Sequence, residues 1–201
     1  GVRLVGSEMC IRDRKYSIDV LMQESNLFIL WYMQRHMKVE IDDASMIDFS
    51  KILKNIFEKI LPIENTLVLR DYHVDNLFYL NERNYVQSVG IIDFQDALCG
   101  STSYDLISIL EDVRRPISSE LKKEMINYYI EEVAENREQI FLETEFFSIQ
   151  RNLKILGIFC RLNYRDNKNH YLSMLPRSLE FIQKHIKKEP YSELNLSLIH
   201  I

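Results

Sequence analysis

Three residues with oxygen-bearing side chains, Asp71, Asn76 and Asp93, follow two short apolar segments of this sequence. An apolar strand, TLVL, runs into Arg70-Asp71, and Asn76 follows the aspartate by five positions. A second apolar run at residues 89–92 ends directly at Asp93. One carboxylate can take a proton from a hydroxyl group, while an amide oxygen and a second carboxylate can hold Mg²⁺ against phosphates. The spacing therefore predicts phosphoryl transfer.

Phosphoryl transfer explains why so few residues suffice. Its transition state is loose, so a protein mainly positions the reactants and neutralises the spreading negative charge. We assign Asp71 as the catalytic base and Asn76 and Asp93 as magnesium ligands. A β-hairpin predicted between residues 77 and 92, with a polar turn at residues 81–84, returns Asp93 to the loop that carries the other two.

Two other interpretations of these residues stay open. Asp71, His73 and Asp75 alternate, so on a continuous strand they would share one face and could form a metallohydrolase site. A charged surface loop after a strand is the second alternative. Burying an aspartate at the end of four apolar strand residues is costly unless it binds something, and Asp93 therefore argues against a plain surface loop.

Three segments of the sequence form one recognisable motif set. They are LRDYHVDNL at residues 69–77, GIIDFQDA at residues 90–97 and SYDL at residues 103–106. Together they resemble the aminoglycoside phosphotransferase-like kinases. Within that group they are most similar to the bacterial cell-wall amino-sugar kinases, which phosphorylate N-acetylmuramate or N-acetylglucosamine. Residues 150–157, QRNLKILG, resemble a stretch near the end of those proteins. The first two segments also follow the protein-kinase patterns R-D-x-x-x-x-N and D-F-G, with Leu69 replacing His and Gln95 replacing Gly.

The resemblance implies an α+β fold, namely the C-terminal, mainly helical lobe of a protein-kinase-like fold with a small β-hairpin. It implies ATP and Mg²⁺ as cofactors, a sugar and a nucleotide as small-molecule partners, and a place in cell-wall recycling. Asp105 is expected to support the catalytic loop or to cap the following helix. The expected contacts to substrate are made by Arg70, His73, Asp96 and Arg151. Arg151, like Arg161 and Arg165, offers a planar fork that matches a carboxylate.

The resemblance covers residues 15–194, and the two ends of the chain are expected to differ from it. Residues 1–14 and 195–201 resemble translated sequencing-adapter read-through, so we expect non-native tails there. The sequence has only five Gly and no glycine-rich phosphate loop or strand lysine of the kinase type. We therefore expect a kinase-like C-terminal lobe that lacks the complete nucleotide clamp and is inactive alone.

Composition narrows the class of protein further. The 201 residues are 46% hydrophobic and 27% charged, as expected for a globular unit, and carry a net charge of −5. No stripe of basic and aromatic residues favours a nucleic acid. The most apolar run, residues 27–33, is too short to span a membrane. The three Cys form no C-x-x-C pair, which fits a reducing cytoplasm.

Away from the hairpin the apolar residues recur with a helical period. The pattern predicts six helices. The first covers residues 15–37, the second contains Phe49 and ends at Pro62, and the third contains residues 106–113 and ends before Pro116. The others run from Ser118 or Ser119 to Ala134, over residues 143–162 and over residues 172–187. The helix that begins at Ser118 or Ser119 is predicted to bury Leu121, Met125, Tyr129 and Val133.

Three classes of function follow from these observations. An amino-sugar kinase is favoured, and a kinase of the same family with an aminoglycoside, homoserine or choline-like acceptor is the first alternative. A non-catalytic binding module is the second, but retention of Asp71, Asn76 and Asp93 argues against it. A peptide substrate is disfavoured because only a short stretch separates Gln95 from Asp105, leaving no activation segment.

Overall fold

The computed structural model describes residues 14–60, 66–101, 103–133 and 137–195. The predicted α+β class is confirmed, because helices dominate and four short strands form two antiparallel pairs. Three 3-10 segments lie at Val74–Asn76, Tyr85–Ser88 and Asn169–Met174. The other elements are α1 (Ile18–Leu27), a π-helix (Phe28–His36), α2 (Asp43–Ile60), β1 (Thr66–Val68), β2 (Leu77–Tyr79), β3 (Val89–Ile91), β4 (Leu98–Gly100), α3 (Ser103–Leu110), α4 (Ser119–Val133), α5 (Arg137–Asp166) and α6 (Leu175–His185).

The chain divides into two compact units. The strand unit comprises residues 1–16 and 62–140 and contains all four strands together with α3 and α4. The helical unit comprises residues 17–61 and 141–201 and contains α1, the π-helix, α2, α6 and most of α5. Of the expected adapter-like tails at residues 1–14 and 195–201, all but Arg14 and Asn195 lie outside the described residues.

Two small sheets organise the strand unit. β1 pairs with β4 so that Leu67 lies opposite Cys99, and β2 pairs with β3 so that Leu77 lies opposite Ile91. Tyr16 donates its backbone N–H to the Cys99 carbonyl over 2.7 Å, which ties the start of the described chain to β4. The buried side chains of this unit are contributed mainly by β1, β4, α3 and α4, and include Val68, Leu98, Tyr104, Ile107, Leu110 and Ile130.

The β2–β3 hairpin is more exposed than the sequence predicts. Val89, Ile91 and Ile92 are exposed in the structure, and so is Asp93, which follows them. The sequence pattern predicts that Asp93 is buried, at a cost that a bound partner would offset. That expectation is wrong, because a two-stranded sheet leaves much of its surface accessible. The chemical argument for Asp93 depends on its neighbours in space instead.

Helix α4 begins at Ser119 as predicted, but it buries a different face. Leu121 and Met125 are 44% and 40% exposed, whereas Ile130 is buried. Lys122, two turns before Ile130, forms an ion pair with the buried carboxylate of Glu111. Residues 122 and 130 are eight positions apart and share a helix face, so a buried ion pair directs this face inward. The apolar period alone could not reveal it.

The helical unit has an aromatic and aliphatic core. Ser17 caps α1 by accepting the backbone N–H of Val20 over 3.4 Å, so the helix begins later than the predicted residue 15. The rings of Phe57 and Phe146 meet edge to face at 4.5 Å between centroids. α5 also buries a polar group: Lys154 Nζ lies 2.8 Å from Glu24 Oε1, and Gln150 Nε2 donates to Glu24 Oε2 over 3.3 Å. The buried charges of Glu24 and Lys154 thus compensate each other.

Gly157 lies where α5 approaches the end of α1 most closely. A Cβ atom built on Gly157 would stand 2.3 Å from the backbone carbon of Leu27 and 2.4 Å from its oxygen. We expect Gly157→Ala to lower the free energy of unfolding by about 1–3 kcal/mol, because backbone must move to relieve the overlap. Urea unfolding measures the change. Gly90→Ala is the matched control, since its Cβ would meet side chains no closer than 3.4 Å. Equal stability of the two variants would contradict the close approach.

Both described cysteines, Cys99 and Cys160, are free and buried, as the sequence predicts. Burial raises the pKa of the Cys160 thiol to about 12. Within the described ranges, no helix combines the length and the apolar character needed to cross a membrane.

Candidate active site

The loop that follows β1 turns sharply at Arg70 and Asp71. Asp71 donates its backbone N–H to the Leu69 carbonyl over 2.9 Å, and Arg70 between them has a φ of 68°. His73 in turn donates to the Asp71 carbonyl over 3.1 Å. A left-handed arginine is uncommon, and such backbone strain persists only where surrounding contacts hold it. The loop therefore needs support from outside itself.

Asp105 supplies part of this support. It is the third residue of α3, and its Oδ2 accepts the backbone N–H of Leu69 over 2.6 Å while its Oδ1 accepts that of Arg70 over 3.1 Å. Asp105 therefore contacts the loop before Asp71, and it does not occupy the cap position of α3. Of the two roles predicted from the sequence, bracing the loop is the one that this geometry supports.

Asp105→Ala is expected to lower the free energy of unfolding by about 1–3 kcal/mol, because the N–H groups of Leu69 and Arg70 lose their acceptors. Hydrogen exchange checks the cause: these two amides should exchange faster, while the amides of β2 and β3 keep their rates. Asp48→Ala, at an exposed aspartate of α2, is the control and should change neither stability nor loop exchange. Unaltered exchange of both loop amides in the Asp105 variant would contradict the bracing role.

A second aspartate, Asp112, holds the other end of the loop, and sequence reasoning missed it. Its Oδ2 accepts the backbone N–H of Val74 over 3.1 Å, and its Oδ1 lies 3.2 Å from Arg114 Nη1. Arg114 Nε also lies 3.1 Å from Asp75 Oδ2. Asp112 is buried and Asp105 half-buried. Asp112 lies two residues beyond the end of α3, so no helical period in the sequence marks it.

Asn76 connects the loop to the hairpin. The residue is 8% exposed, and its Nδ2 donates to the Asp71 carbonyl over 2.9 Å. Its own carbonyl accepts the N–H of Ile92 over 3.1 Å, directly beside Asp93. Because the amide nitrogen is used on the loop, the Oδ1 of Asn76 is left for another partner, and no described residue donates to it. Asn76 thus contacts Asp71 through its side chain and contacts Ile92, the residue before Asp93, through its backbone.

Asp93 itself is held by a residue whose role the sequence did not suggest. Gln95 Nε2 donates to Asp93 Oδ1 over 2.6 Å, and Asp93 has a left-handed φ of 63°. This interaction uses one carboxylate oxygen and leaves the other without a described partner. Gln95 stands at the position where the kinase pattern has glycine, and that replacement was the signal that could have identified it.

The metallohydrolase alternative is not supported by this geometry. Asp71 and His73 do not lie on a strand, and Asp75 lies in a 3-10 turn where it pairs with Arg114. In the part of the chain that the structure describes, no three His, Cys, Asp or Glu side chains form a group that could hold a metal. Asn76 and Asp93 instead offer two hard oxygen atoms, which suits Mg²⁺ bound chiefly by substrate phosphates and water.

Three of the four residues predicted to contact substrate lie in this region. The Arg70 guanidinium lies 5.7 Å from the centre of the Tyr16 ring, and its Nη1 is 3.5 Å from the Asp96 carbonyl. His73 Nε2 is 3.5 Å from Asn76 Nδ2. The fourth, Arg151, belongs to the helical unit, where it lies on α5 and is 5% exposed. No described residue accepts a hydrogen bond from its Nη1.

Tyr72 lies next to Asp71 and keeps its proton. Burial is the larger cause that raises the pKa of Tyr72, and the negative charge of Asp105 adds to it. The Tyr72 phenol is therefore neutral at physiological pH.

The chain matches known proteins over the segments that form this site. The family model described as "Phosphotransferase enzyme family" matches residues 15–140, which include Asp71, Asn76, Asp93 and Asp105. This match confirms the resemblance read from the sequence.

Curated relatives extend the similarity beyond residue 140. A protein from Neisseria meningitidis serogroup B (strain MC58) is 30% identical over 187 residues, which is 90% of this chain and 54% of the relative. One from Caulobacter vibrioides is 33% identical over 153 residues, 76% of this chain and 42% of the relative. One from Pseudomonas aeruginosa is 29% identical over 182 residues, which is 87% of this chain and 52% of the relative. All three are named N-acetylmuramate/N-acetylglucosamine kinase, and the chain spans about half their length.

Proposed function

Because the chain belongs to the phosphotransferase enzyme family, we propose that the protein transfers the γ-phosphoryl group of ATP to a hydroxyl group of an amino sugar. The acceptor proposed is of the N-acetylmuramate/N-acetylglucosamine type, which is the type that the names of the similar proteins give. The observation that carries the proposal is that Asn76 donates a hydrogen bond to the Asp71 carbonyl and accepts one from Ile92, the residue before Asp93.

Asp71 is the proposed base. Its carboxylate would accept the proton of the acceptor hydroxyl while the acceptor oxygen forms a bond to the γ-phosphorus. The bond between that phosphorus and the β,γ-bridging oxygen breaks, and the electron pair leaves with ADP. The exposure of Asp71 allows a sugar hydroxyl to reach it. General-base assistance of this kind contributes roughly 10²–10⁴-fold to a rate.

Asn76 Oδ1 and the Asp93 carboxylate oxygen that Gln95 does not contact are the proposed ligands for Mg²⁺. When bound, the cation neutralises charge on the phosphates. The protein's own contribution is to fix these oxygen atoms, and the hydrogen bonds from Asn76 to Asp71 and from Gln95 to Asp93 serve this purpose. Gln95 is therefore proposed as a positioning residue.

Arg70, His73, Asp96 and Arg151 are the proposed contacts to the acceptor. Arg70 and His73 lie on either side of Asp71, so both are close to any hydroxyl that reaches the base. Arg151 is the proposed partner of an acidic group, because a buried guanidinium nitrogen without an acceptor is costly unless a ligand supplies one.

A phosphoryl-transfer assay tests the proposal. The protein is expressed from its complete gene and incubated with ATP labelled at the γ-phosphate, MgCl₂ and a panel of acceptors. The expected product is a labelled phosphate ester of N-acetylmuramate or N-acetylglucosamine. Faster labelling of an aminoglycoside, homoserine or choline would show that the acceptor is of that class and not an amino sugar of the proposed type. Absence of transfer to every acceptor, with retained nucleotide binding, would favour a binding module.

A further inference from the structure

A cavity of about 500 Å³ lies within the helical unit. Leu30, Trp31 and Arg35 line it from the π-helix, and Tyr164 and Arg165 line it from the last turn of α5. None of these residues belongs to the site built around Asn76. The volume falls in the range of small-ligand pockets. We call this group the Trp31 pocket.

The π-helix is what brings two of these residues to one face. In an α-helix, residues five positions apart point about 140° away from each other. In a π-helix the i and i+5 positions share a face, so Leu30 and Arg35 both line the cavity. The geometry continues past the pocket, because Met37 donates its N–H to the Tyr32 carbonyl over 2.8 Å. A π-helix is rare and is found frequently at functional sites.

The ring of Tyr164 is held in place but remains accessible. Tyr164 is 39% exposed, and its hydroxyl lies 3.0 Å from His36 Nδ1. The Arg35 guanidinium carbon lies 5.5 Å from the centre of the Tyr164 ring. Trp31 is half-buried. Two aromatic rings beside a cavity offer apolar faces on which a ring-shaped ligand can stack.

The pocket also carries positive charge, although the chain as a whole is acidic. Arg35 forms no ion pair with any carboxylate of the described ranges, and it is exposed. Arg165 pairs with its neighbour Asp166, at 2.8 Å from Nε to Oδ1 and 2.9 Å from Nη2 to Oδ2. The lining therefore holds two guanidinium groups, of which only that of Arg165 pairs with a carboxylate of the described residues, and Arg35 is available for a ligand anion. Its planar fork suits a carboxylate or a phosphate.

We propose that the Trp31 pocket binds a sugar that carries an anionic group, with the ring against Trp31 and Tyr164 and the anion at Arg35. The choice of a sugar as the ring-shaped ligand rests on the proposed function. Carboxylate and phosphate share the chemistry that Arg35 recognises, so either an acidic acceptor or a phosphorylated product fits the pocket.

Tryptophan fluorescence measures this binding without any catalysis. The chain contains one Trp, so emission from the 201-residue protein reports on Trp31 alone. Titration with N-acetylmuramate, without ATP, should change the emission saturably. N-acetylglucosamine, which lacks the carboxylate, should bind at least about tenfold more weakly. Titration with N-acetylglucosamine 1-phosphate then distinguishes the sources: tighter binding of the phosphate identifies a phosphorylated product as the ligand, and tighter binding of the carboxylate identifies an acidic sugar.

Arg35→Gln tests the residue that carries the proposal. We expect at least about a tenfold loss of affinity for the anionic sugar and little change for the neutral one. Arg115→Gln, which removes an exposed arginine outside the pocket, is the matched control and should bind like the wild type. Far-ultraviolet circular dichroism and the thermal midpoint verify that the variants keep their fold. Trp31→Phe has no tryptophan emission, so its affinity for the anionic sugar is measured by calorimetry.

Four results would overturn the proposal. The anionic sugar could leave the Trp31 emission unchanged, or it could bind equally well to the wild type and to Arg35→Gln. Loss of binding in Arg151→Gln but not in Arg35→Gln would show that Arg151, and not Arg35, binds the anionic group. Tighter binding of adenosine 5′-phosphate than of any anionic sugar would assign the pocket to a nucleotide. Since no step uses ATP turnover, a failure of the phosphorylation assay leaves these outcomes readable.

Discussion

Asp71→Asn is expected to reduce kcat roughly 10²–10⁴-fold while leaving the fold intact. The amide keeps the size and shape of the side chain but cannot accept the proton of the acceptor hydroxyl. Because Asp71 contacts the loop through backbone groups, the hydrogen bonds to Leu69, His73 and Asn76 do not depend on its carboxylate. Steady-state rates of ADP formation by the protein expressed from its complete gene measure the change.

The control for this variant is Asp75→Asn in the same loop. Asp75 is exposed and contacts only Arg114 among the described side chains, so its loss should change kcat by less than about threefold. The binding constant for ATP should be close to the wild-type value in both variants, since neither aspartate is a proposed metal ligand. A wild-type kcat in Asp71→Asn would remove Asp71 from the role of base.

Asp93→Asn is expected to weaken Mg²⁺-dependent nucleotide binding and to lower kcat/KM about a hundredfold or more, because a metal ligand loses its charge. Asparagine tolerates the left-handed backbone at this position, so the φ of 63° need not change. Calorimetric titration of ATP at several Mg²⁺ concentrations measures the effect. The Mg²⁺ concentration for half-maximal binding should rise at least about tenfold.

Two comparisons separate the metal role from a general disturbance of the hairpin. Glu82→Gln removes a carboxylate from the hairpin turn and should leave the Mg²⁺ requirement unaltered. Gln95→Ala removes the hydrogen bond to Asp93 Oδ1 but keeps the carboxylate, so an intermediate effect is expected. If Asp93→Asn retained the wild-type Mg²⁺ dependence, Asp93 would not be a metal ligand.

Local pattern in the sequence predicted the helices and the hairpin. The apolar period over residues 43–60 produces α2 with Phe49, Leu53 and Phe57 buried as expected. The mixed α+β class and the family membership were also predictable. The assignment of the fold to one lobe of a kinase, and the roles of Asp71, Asn76 and Asp93, remain predictions.

Contacts distant in sequence could not be predicted in the same way. The loop that carries Asp71 is supported by Asp105, which only the family resemblance suggested, and by Asp112, which sequence reasoning missed. Both lie more than thirty residues away, and the fold brings them to Leu69 and Val74. The inward face of α4 depends on the pairing of Lys122 with Glu111, which no apolar period encodes. The π-helix likewise alters which residues share a face, and a 3.6-residue period cannot anticipate it.

The clamping of the loop at both ends sets a limit on how this enzyme class can diversify. With Leu69 and Arg70 attached to Asp105 and Val74 attached to Asp112, the stretch of Asp71, Tyr72 and His73 has a fixed span. Inserting or deleting even one amino acid there would break one attachment or displace Asp71. New acceptor preferences are therefore expected to arise by exchanging side chains at constant loop length, and a directed-evolution library should be built accordingly.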